Sequence, residues 1–396
     1  MNNPKNSLPN GWSLKKLGEI AKIQGGFAFD SKKFQNAGLY QVIKMSNLYG
    51  SKLDLERSQS FMNSLSSRER EYLLKPNEIL ITLTGTVGKR DYGYTFQITN
   101  EERLLLNQRV ARIIANTELL NPKYVFYELN TNRFLNQFFY VAKGGTGNQA
   151  NVGIEDISNI QLVLPPLPEQ QKIATILGTW DAAIQTTSAL LTALQKRKKG
   201  LMQQLLDTEK NEIKAGTIFQ NISQKNYPNE PLLSATQDRG VILRSMLEGR
   251  VASPEGSTNG YKLVEIGDFI ISLRSFEGGI EYSEYRGIIS PAYTILRPKI
   301  LIYRDYYKHY FKSDRFIKKL GVAVIGIRDG RQVSFDDFSV IKIPFPSLAE
   351  QTRIAVILNT ADAELRQTEA YLEKLKTQKR GLMQQLLTGK VRVITT

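Results

Sequence analysis

Apolar residues recur in two stretches of the chain at alternating steps of four and three positions. The first series starts at Ile173 and the second at Ile354. A mean spacing of about 3.5 residues is typical of the buried seam of a coiled coil. We therefore predict two long helices, with seams formed by Ile173, Leu177, Ile184, Leu191, Leu194, Leu201 and Leu205 in the first, and by Ile354, Leu358, Leu365, Leu372, Leu375, Leu382 and Leu386 in the second.

The two stretches are copies of one sequence. Residues 164–206 and 345–387 align without a gap, are identical at 23 of 43 positions, and both end in Gly-Leu-Met-Gln-Gln-Leu-Leu. Prolines precede both apolar series, which suits the entry of a helix but not its interior. Chance does not produce such a match, so an internal duplication organises the chain.

The predicted helices are too long to be covered by one small globule. Each has about 38 residues, hence a length of about 57 Å at 1.5 Å per residue. We expect them to pack against each other as an antiparallel pair. Lys198 and Lys379 fall at the same step of the two seams, either to fix the register or because their ammonium groups reach solvent at the seam edge. Taken alone, such a pair is more often a plain spacer or dimerisation rod.

The rest of the chain contains short runs typical of β-strands, such as those at 79–83 and 269–273. The predicted fold class is α+β: two β-rich globules separated by a pair of long antiparallel coiled-coil helices, with a pseudo-twofold internal repeat. The predicted domains are a first globule at 1–164, a first helix at 165–208, a second globule at 209–345, and a second helix with a C-terminal tail at 346–396.

Composition narrows the function. The 396 residues include 53 Lys and Arg against 38 Asp and Glu, a formal net charge of +15, which favours a polyanionic partner such as nucleic acid. There is no Cys, and His309 is the single His. Disulfides, Cys and His zinc sites and Ser-His or Cys-His triads are therefore not expected. No run approaches the length of a membrane span and no signal core opens the chain, so we expect a cytoplasmic protein without a membrane partner.

Catalytic motifs are also missing. The segment at 85–90, Gly-Thr-Val-Gly-Lys-Arg, has only two residues between its glycines and Arg after the Lys, so it is not a phosphate-binding Walker loop. A glycine-rich segment begins at Lys143 but lacks dinucleotide-binding spacing. The adenine methyltransferase signature, Asn or Asp followed by two prolines and an aromatic residue, is absent. We therefore expect no catalytic residue, metal or cofactor in this chain.

The polar loops of the two globules are the candidate binding surfaces, because loops on a rigid scaffold usually carry the binding groups. Amide side chains suit adenine, Arg suits guanine, and Lys or Arg suits phosphate. The alternative is that these residues form turns or are simply solvated, which for any one of them is at least as common. The candidate DNA-binding residues are Lys89, Arg90, Arg109, Lys143, Gln149, Asn151, Arg274, Arg331 and Gln332.

The duplicated pattern resembles a known family. A β-rich globule, a proline-led helix and a Gly-Leu-Met-Gln-Gln-Leu-Leu close, all present twice, are similar to the specificity subunits of type I restriction-modification systems. The resemblance covers essentially the whole chain. Its motif residues are Leu167, Glu169, Gln170, Ile173, Ala174, Ile176 and Leu177 in the first copy and Leu348, Glu350, Gln351, Ile354, Ala355, Ile357 and Leu358 in the second.

The resemblance implies a non-catalytic reader of double-stranded DNA that serves host defence. Each globule would be a target recognition domain for one half-site of a bipartite sequence, and the helices would set the gap. The implied partners are two methyltransferase subunits, which bind S-adenosylmethionine, and two motor-nuclease subunits, which use ATP and Mg. The second globule lacks the Pro-x-Gly-Trp opening that the first carries at 9–12, so its loops align less closely with the family.

Two functions of another kind stay open at this point. One is a stand-alone architectural DNA-binding protein, and the other is a self-sufficient nucleic-acid enzyme. Missing cofactor and metal motifs count against the enzyme. Divergent loops on duplicated globules count against a rod that ignores DNA sequence.

Overall fold

The computed structural model describes residues 8–144, 148–207, 211–247, 257–324 and 333–393. The first globule is built mainly from short strands. Its strands are β1 (Ser13–Lys16), β2 (Ala21–Gly25), β3 (Tyr40–Ile43), β4 (Leu48–Tyr49), β5 (Lys52–Leu53), β6 (Phe61–Met62), β7 (Ile79–Thr82), β8 (Thr84–Thr86), β9 (Thr95–Gln97), β10 (Leu104–Leu106), β11 (Val110–Ala115), β12 (Lys143–Gly144), β13 (Gln149–Asn151) and β14 (Gln161–Leu164). Its helices are α1 (Leu17–Ile20), α2 (Ser67–Arg70), α3 (Pro122–Glu128), α4 (Asn132–Tyr140) and α5 (Ile154–Ser158).

A 40-residue helix, α6 (Leu167–Leu206), follows, and then the second globule. The strands of this globule are β15 (Glu212–Lys214), β16 (Phe219–Ile222), β17 (Leu233–Thr236), β18 (Gly240–Leu243), β19 (Lys262–Val264), β20 (Phe269–Ile271), β21 (Glu281–Tyr282), β22 (Gly287–Ile289), β23 (Thr294–Pro298) and β24 (Lys342–Pro344). Its helices are α7 (Ala215–Ile218), α8 (Ser275–Gly278), α9 (Arg304–Tyr310), α10 (Asp314–Val324) and α11 (Phe335–Ser339). The 39-residue helix α12 (Leu348–Leu386) comes last.

The globules share one scaffold. A four-stranded antiparallel sheet has the order β2-β11-β7-β9 in the first and β16-β23-β20-β21 in the second. The strands β7 and β20 are fully buried and, apart from Thr82, apolar, as their sequences predict. The α+β class and the internal repeat are thus confirmed.

The first and last strands of each globule lie side by side. Strand β1 pairs with β14, so that Ser13 faces Leu164, and β15 pairs with β24, so that Glu212 faces Pro344. Beside these ribbons the backbones approach closely at one glycine in each copy. A Cβ on Gly18 would lie 2.9 Å from the Ser158 Cβ, and one on Gly216 would lie 2.9 Å from the Ser339 Cβ. Each globule is therefore an insert closed by a two-stranded ribbon.

The chain divides into two compact units, and the division falls inside both long helices. Unit 1 comprises the residues up to Thr186 and those from Glu373 onward, and unit 2 comprises Thr187–Leu372. In unit 1, Ile173 and Leu177 near the start of α6 share a core with Leu386 at the end of α12. In unit 2, Leu206 at the end of α6 shares a core with Ile354 and Leu358. The helices are antiparallel within each unit.

Every position of the two predicted seams is buried or half-buried in the helix pair. The two seam lysines, Lys198 and Lys379, form ion pairs between the helices. Lys198 binds Asp362 in unit 2, and Lys379 binds Asp181 in unit 1. Because the duplication relates Lys198 to Lys379 and Asp181 to Asp362, these are two copies of one contact. A polar contact inside an apolar seam favours one register.

A buried glutamine fixes the start of each long helix. The Gln170 side chain accepts a hydrogen bond from the Asn121 N–H at 3.0 Å and donates to the carbonyls of Leu119 and Pro165. Its copy, Gln351, accepts from the Tyr303 N–H at 2.8 Å and donates to the Pro346 carbonyl. Both amides are 1% exposed. The Glu-Gln pair of the repeated motif thus includes the residue that attaches each helix to its globule.

An arginine fixes the end of each long helix. Arg133 donates to the carbonyl of Leu387 at 3.1 Å, and Arg315 donates to that of Leu206 at 3.2 Å. These carbonyls have no partner within their own helix, so the guanidinium groups act as caps. Leu206 and Leu387 are related by the duplication, so the caps are also copies of one contact.

In unit 1 the C-terminal tail completes this attachment. Arg392 binds Glu169 at 2.8 Å, and the Trp12 indole donates to the same carboxylate at 3.1 Å. Burial alone would raise the pKa of Glu169, but hydrogen bonds from Arg392, Trp12 and the Val393 N–H outweigh it and lower the pKa. The two ends of the described chain are therefore joined at the start of α6. The copy residue, Glu350, instead pairs with Arg353 on its own helix.

Candidate nucleic-acid interface

The loop candidates of the first globule gather around one small sheet. Strand β8 follows β7 after a single residue, Leu83, and pairs with β13, which pairs in turn with β12. Gln149 faces Thr86 and Asn151 faces Thr84 across this sheet, while Lys143 faces Asn151 on the other side. The buried strand β7 thus leads directly into an exposed platform of polar residues.

The tip of this platform carries Lys89 and Arg90. Asp91 fixes the turn, since its carboxylate accepts hydrogen bonds from the Thr86 hydroxyl at 2.7 Å and the Thr86 N–H at 2.8 Å, which lowers its pKa. Arg90 lies over the Phe139 ring at 5.0 Å and donates to Asn136. Asp91 is not among the residues predicted from the sequence, where its only signal is that Asp is a common turn residue.

The other candidates differ in how far their side chains are already engaged. Lys143 pairs with Asp156 at 3.2 Å, and the Asn151 amide oxygen accepts from the Thr84 hydroxyl at 2.8 Å. Gln149 and Arg109 are exposed and bond to no described side chain. Arg109 has a φ of +70°, and its carbonyl accepts from the Leu83 N–H at the base of the platform. Unpaired groups such as these are available to a ligand.

In each globule, the structure that follows the buried strand β7 or its equivalent is called the corner, and in the first globule the corner is the platform. The corner of the second globule has a different structure. Strand β20 is equivalent to β7, but a helical turn, α8, follows it where the first globule has β8. Ser272 and Ser275 hold this turn through a 2.8 Å hydrogen bond from the Ser272 N–H. Arg274 stands exposed at its start. Arg331 and Gln332 lie outside the described residues.

Both corners expose an apolar side chain among polar neighbours. Val87 is 47% exposed at the tip of the first, and Leu273 is 53% exposed beside Arg274 in the second. Apolar groups can contact the methyl group of thymine, so these residues join the candidates. Their signal in the sequence is an aliphatic residue inside an otherwise polar loop.

The described residues contain no group of three or more His, Asp or Glu side chains placed to hold a metal ion. His309 is buried against the helix pair, where its Nε2 lies 2.8 Å from the Asn359 amide oxygen. Burial lowers its pKa. Among the described helices none is both long and apolar enough to cross a membrane.

Comparison with known families agrees with the duplication. The model of the type I restriction modification DNA specificity domain matches this chain twice, at residues 9–196 and 210–377. The chain belongs to this family of specificity subunits. The MjaVIII specificity subunit of Methanocaldococcus jannaschii is 25% identical over 421 residues, covering 98% of this chain and 94% of that protein. The EcoKI specificity subunit of Escherichia coli K12 is 34% identical over 99 residues, or 24% of this chain.

Solved structures show the same fold. The S subunit of a type I restriction-modification system from M. genitalium superimposes with a TM-score of 0.61 at 16% identity, covering 100% of this chain and 99% of that one. A chain from a structure of type I restriction-modification complex assembly superimposes with a TM-score of 0.55 at 18% identity, covering 97% of this chain and 100% of that one. Specificity subunits are non-catalytic, and the family assignment gives this chain the same character.

Proposed function

We propose that this specificity subunit reads a bipartite DNA target, with one half-site bound by each globule. The proposal rests on one observation: the two globules share a scaffold but differ in the corners that the scaffold exposes. The two sheets have the same strand order, yet β7 leads into a strand and β20 into a helical turn. A shared scaffold with different exposed corners suits two different DNA sequences read in one way.

Each corner offers the groups that base reading needs. The first presents Gln149, Arg109 and Val87 without competing partners among the described side chains, and the second presents Arg274 and Leu273. Lys89 and the stacked Arg90 suit phosphate contacts that position the platform. The net charge of +15 supports binding to the DNA backbone.

The long helices would set the gap between half-sites. The proposal is supported by their length, by the ion pairs that fix their register, and by the side chains that hold their ends in the globules. Helix length, and no side chain in the gap, would then determine the number of base pairs skipped.

Catalysis would come from partners. Two methyltransferase subunits, with S-adenosylmethionine, would modify adenines in the half-sites, and two motor-nuclease subunits, with ATP and Mg, would cleave unmodified DNA. The duplicated helices favour two copies of a partner, since repeated surfaces bind repeated subunits. This chain itself would hold no cofactor.

The proposal is tested by mapping methylated adenines across the genome of the host, with and without the gene for this chain. One split motif should disappear on deletion and return on complementation. Loss of an unsplit motif, or methyl transfer by the rigorously purified chain alone, would contradict the proposal.

A further inference from the structure

A cleft lies beside the long helices in each unit. In unit 1 its volume is about 730 Å³, and in unit 2 it is about 860 Å³. The helix residues that line one cleft are largely the copies of those that line the other. The related pairs are Lys379 and Lys198, Met383 and Met202, Gln384 and Gln203, Asp181 and Asp362, and Ile184 and Leu365. The clefts are two copies of one feature.

The globule side of each cleft is also related. Asn132 begins α4 and Asp314 begins α10. Each comes just before the arginine that caps a long helix, and each follows a hydroxyl residue that accepts an N–H of its own helix, Thr131 in one case and Ser313 in the other. Asn132 and Asp314 therefore occupy the same position, and so do Arg380 and Lys199 on the long helices.

The cleft of unit 2 neutralises its own charge. Lys199 binds the Asp314 carboxylate at 3.2 Å. The lining as a whole contains seven Asp and Glu residues against six Lys and Arg residues, so carboxylates outnumber cations even though Arg366 makes no ion pair with a described residue. A charged partner gains little by entering a cleft that is already balanced in this way.

The cleft of unit 1 leaves one cation uncompensated. Its lining contains four Lys and Arg residues, of which Lys379 pairs with Asp181, Arg133 with Glu128 and Lys376 with Glu373. Where unit 2 has Asp314, unit 1 has the neutral Asn132. Arg380 is exposed and makes no ion pair with any described residue. An Arg with no carboxylate partner at the mouth of a cleft is available to an external anion.

The walls indicate what kind of anion would enter. The same cleft is lined by the apolar side chains of Phe126, Ile184, Met383 and Leu387. A phosphate group alone would make no favourable contact with these side chains. In unit 2 the equivalent cation binds a carboxylate in the first turn of a helix. A protein segment with acidic and apolar residues on one face matches both features.

We infer that the cleft of unit 1 docks an acidic amphipathic segment of a methyltransferase subunit, while the cleft of unit 2 excludes it. This rests on the proposed function, which brings two identical methyltransferases to the duplicated helices. Since the same segment meets one open and one neutralised cleft, the two copies are held unequally, and the tighter one is bound at unit 1.

Reciprocal exchange of one residue tests the inference. In Asn132→Asp the new carboxylate can pair with Arg380 and close the cleft of unit 1, and in Asp314→Asn the cleft of unit 2 loses its own partner for Lys199. Stepwise dissociation constants for the purified methyltransferase are measured by native mass spectrometry with the full chain. Asn132→Asp should weaken the tighter step about tenfold, and Asp314→Asn should tighten the weaker step.

Two further variants serve as a matched pair. Arg380→Gln should reproduce the effect of Asn132→Asp, whereas Lys199→Gln should leave the tighter step within about twofold, because its cation is already used internally. The thermal unfolding of Asn132→Asp should be unchanged or shifted upward, since an internal ion pair is gained. Weaker binding then does not reflect unfolding.

The inference would be overturned if the wild-type chain bound both methyltransferases with equal dissociation constants, or if Arg380→Gln and Lys199→Gln changed these constants equally. It would also be overturned if the Asn132→Asp chain bound methyltransferase normally. If Asn132→Asp weakened the binding of duplex DNA to the isolated chain, the cleft would be a phosphate site instead. If the wild-type chain binds no methyltransferase at all, it is the proposed function that fails.

Discussion

Two buried amides, Gln170 and Gln351, illustrate what single residues contribute. Each satisfies buried or part-buried backbone groups, so replacement by Ala leaves these groups without their partner and should cost about 1–3 kcal/mol of unfolding free energy. Gln171, one position further along, is exposed and serves as the control. Gln171→Ala should change stability by no more than about 0.5 kcal/mol. Urea unfolding that gives equal losses for Gln170→Ala and Gln171→Ala would refute the anchoring role.

A second prediction concerns Glu128, which is fully buried beside Arg133. Burial raises its pKa to about 7, against the opposing effect of Arg133. A raised carboxyl pKa means that the folded state binds the proton more tightly, so stability should fall as the pH rises from about 4.5 to 7 and then level off. Glu128→Gln removes this titration.

The stability of Glu128→Gln relative to wild type should therefore improve by about 2–3 kcal/mol between pH 5 and pH 8. Urea unfolding at both pH values measures this difference. A difference that does not change with pH, or that moves the other way, would show that Glu128 stays ionised throughout the range.

For single residues, the sequence predicts the polar loops. It does not show that Asn151 is engaged by Thr84 or Lys143 by Asp156, because those contacts depend on how the chain folds back on itself. Gln170 and Gln351 stand out in the sequence only as motif residues, without a role. Their partners, Asn121 and Tyr303, lie about 50 residues away in the chain, and no local pattern links them.

At the scale of elements, the long helices were the most predictable part. The 3.5-residue spacing is a strong local signal that persists over the whole stretch, and the observed helices of 40 and 39 residues match the expected length. The corner after β20 was less predictable. Its sequence resembles the segment that becomes β8, and the serine hydrogen bonds that favour a helical turn leave no periodic signal.

The helices also carry the prediction about the gap. Inserting Leu-Thr-Ala-Leu after Leu194 adds about 6 Å and slightly over one turn, so the helical face is nearly kept. The recognised gap should lengthen by about one or two base pairs, at about 3.4 Å each. Inserting two residues instead rotates the seam by about 200° and should abolish activity.

A matched insertion sharpens this test. Adding four residues after Leu375 as well, the copy of Leu194, preserves both Lys198–Asp362 and Lys379–Asp181, so the double variant should be more stable than the single one. Methylated sites read genome-wide give the gap for each variant. An unchanged gap in an active variant would show that partner subunits set the spacing.

At the scale of the whole molecule, the repeat was visible in the sequence but the composition of the compact units was not. The domains predicted from the sequence are successive segments of the chain: globule, helix, globule and helix. Each observed unit instead combines one globule with parts of both helices. Packing between residues far apart in sequence determines that grouping. The glutamine and arginine contacts that hold each helix in its globule occur in both units, although the residues that make each contact lie far apart in sequence.

In the proposed function, each globule reads one half-site independently of the other. The decisive experiment replaces residues 212–344 with the second globule of a specificity subunit that has a different known target. The junction is favourable because Glu212 and Pro344 are paired neighbours at the closing ribbon. The reciprocal control replaces residues 13–164 at the equivalent ribbon. Methylated adenines are then mapped across the genome.

The exchange at 212–344 should change one half-site to that of the donor, while the other half-site and the gap length should stay as in the wild type. The control should change the opposite half-site. A methylated motif in which both half-sites change after either exchange, in a complex that remains active, would contradict independent reading by the two globules.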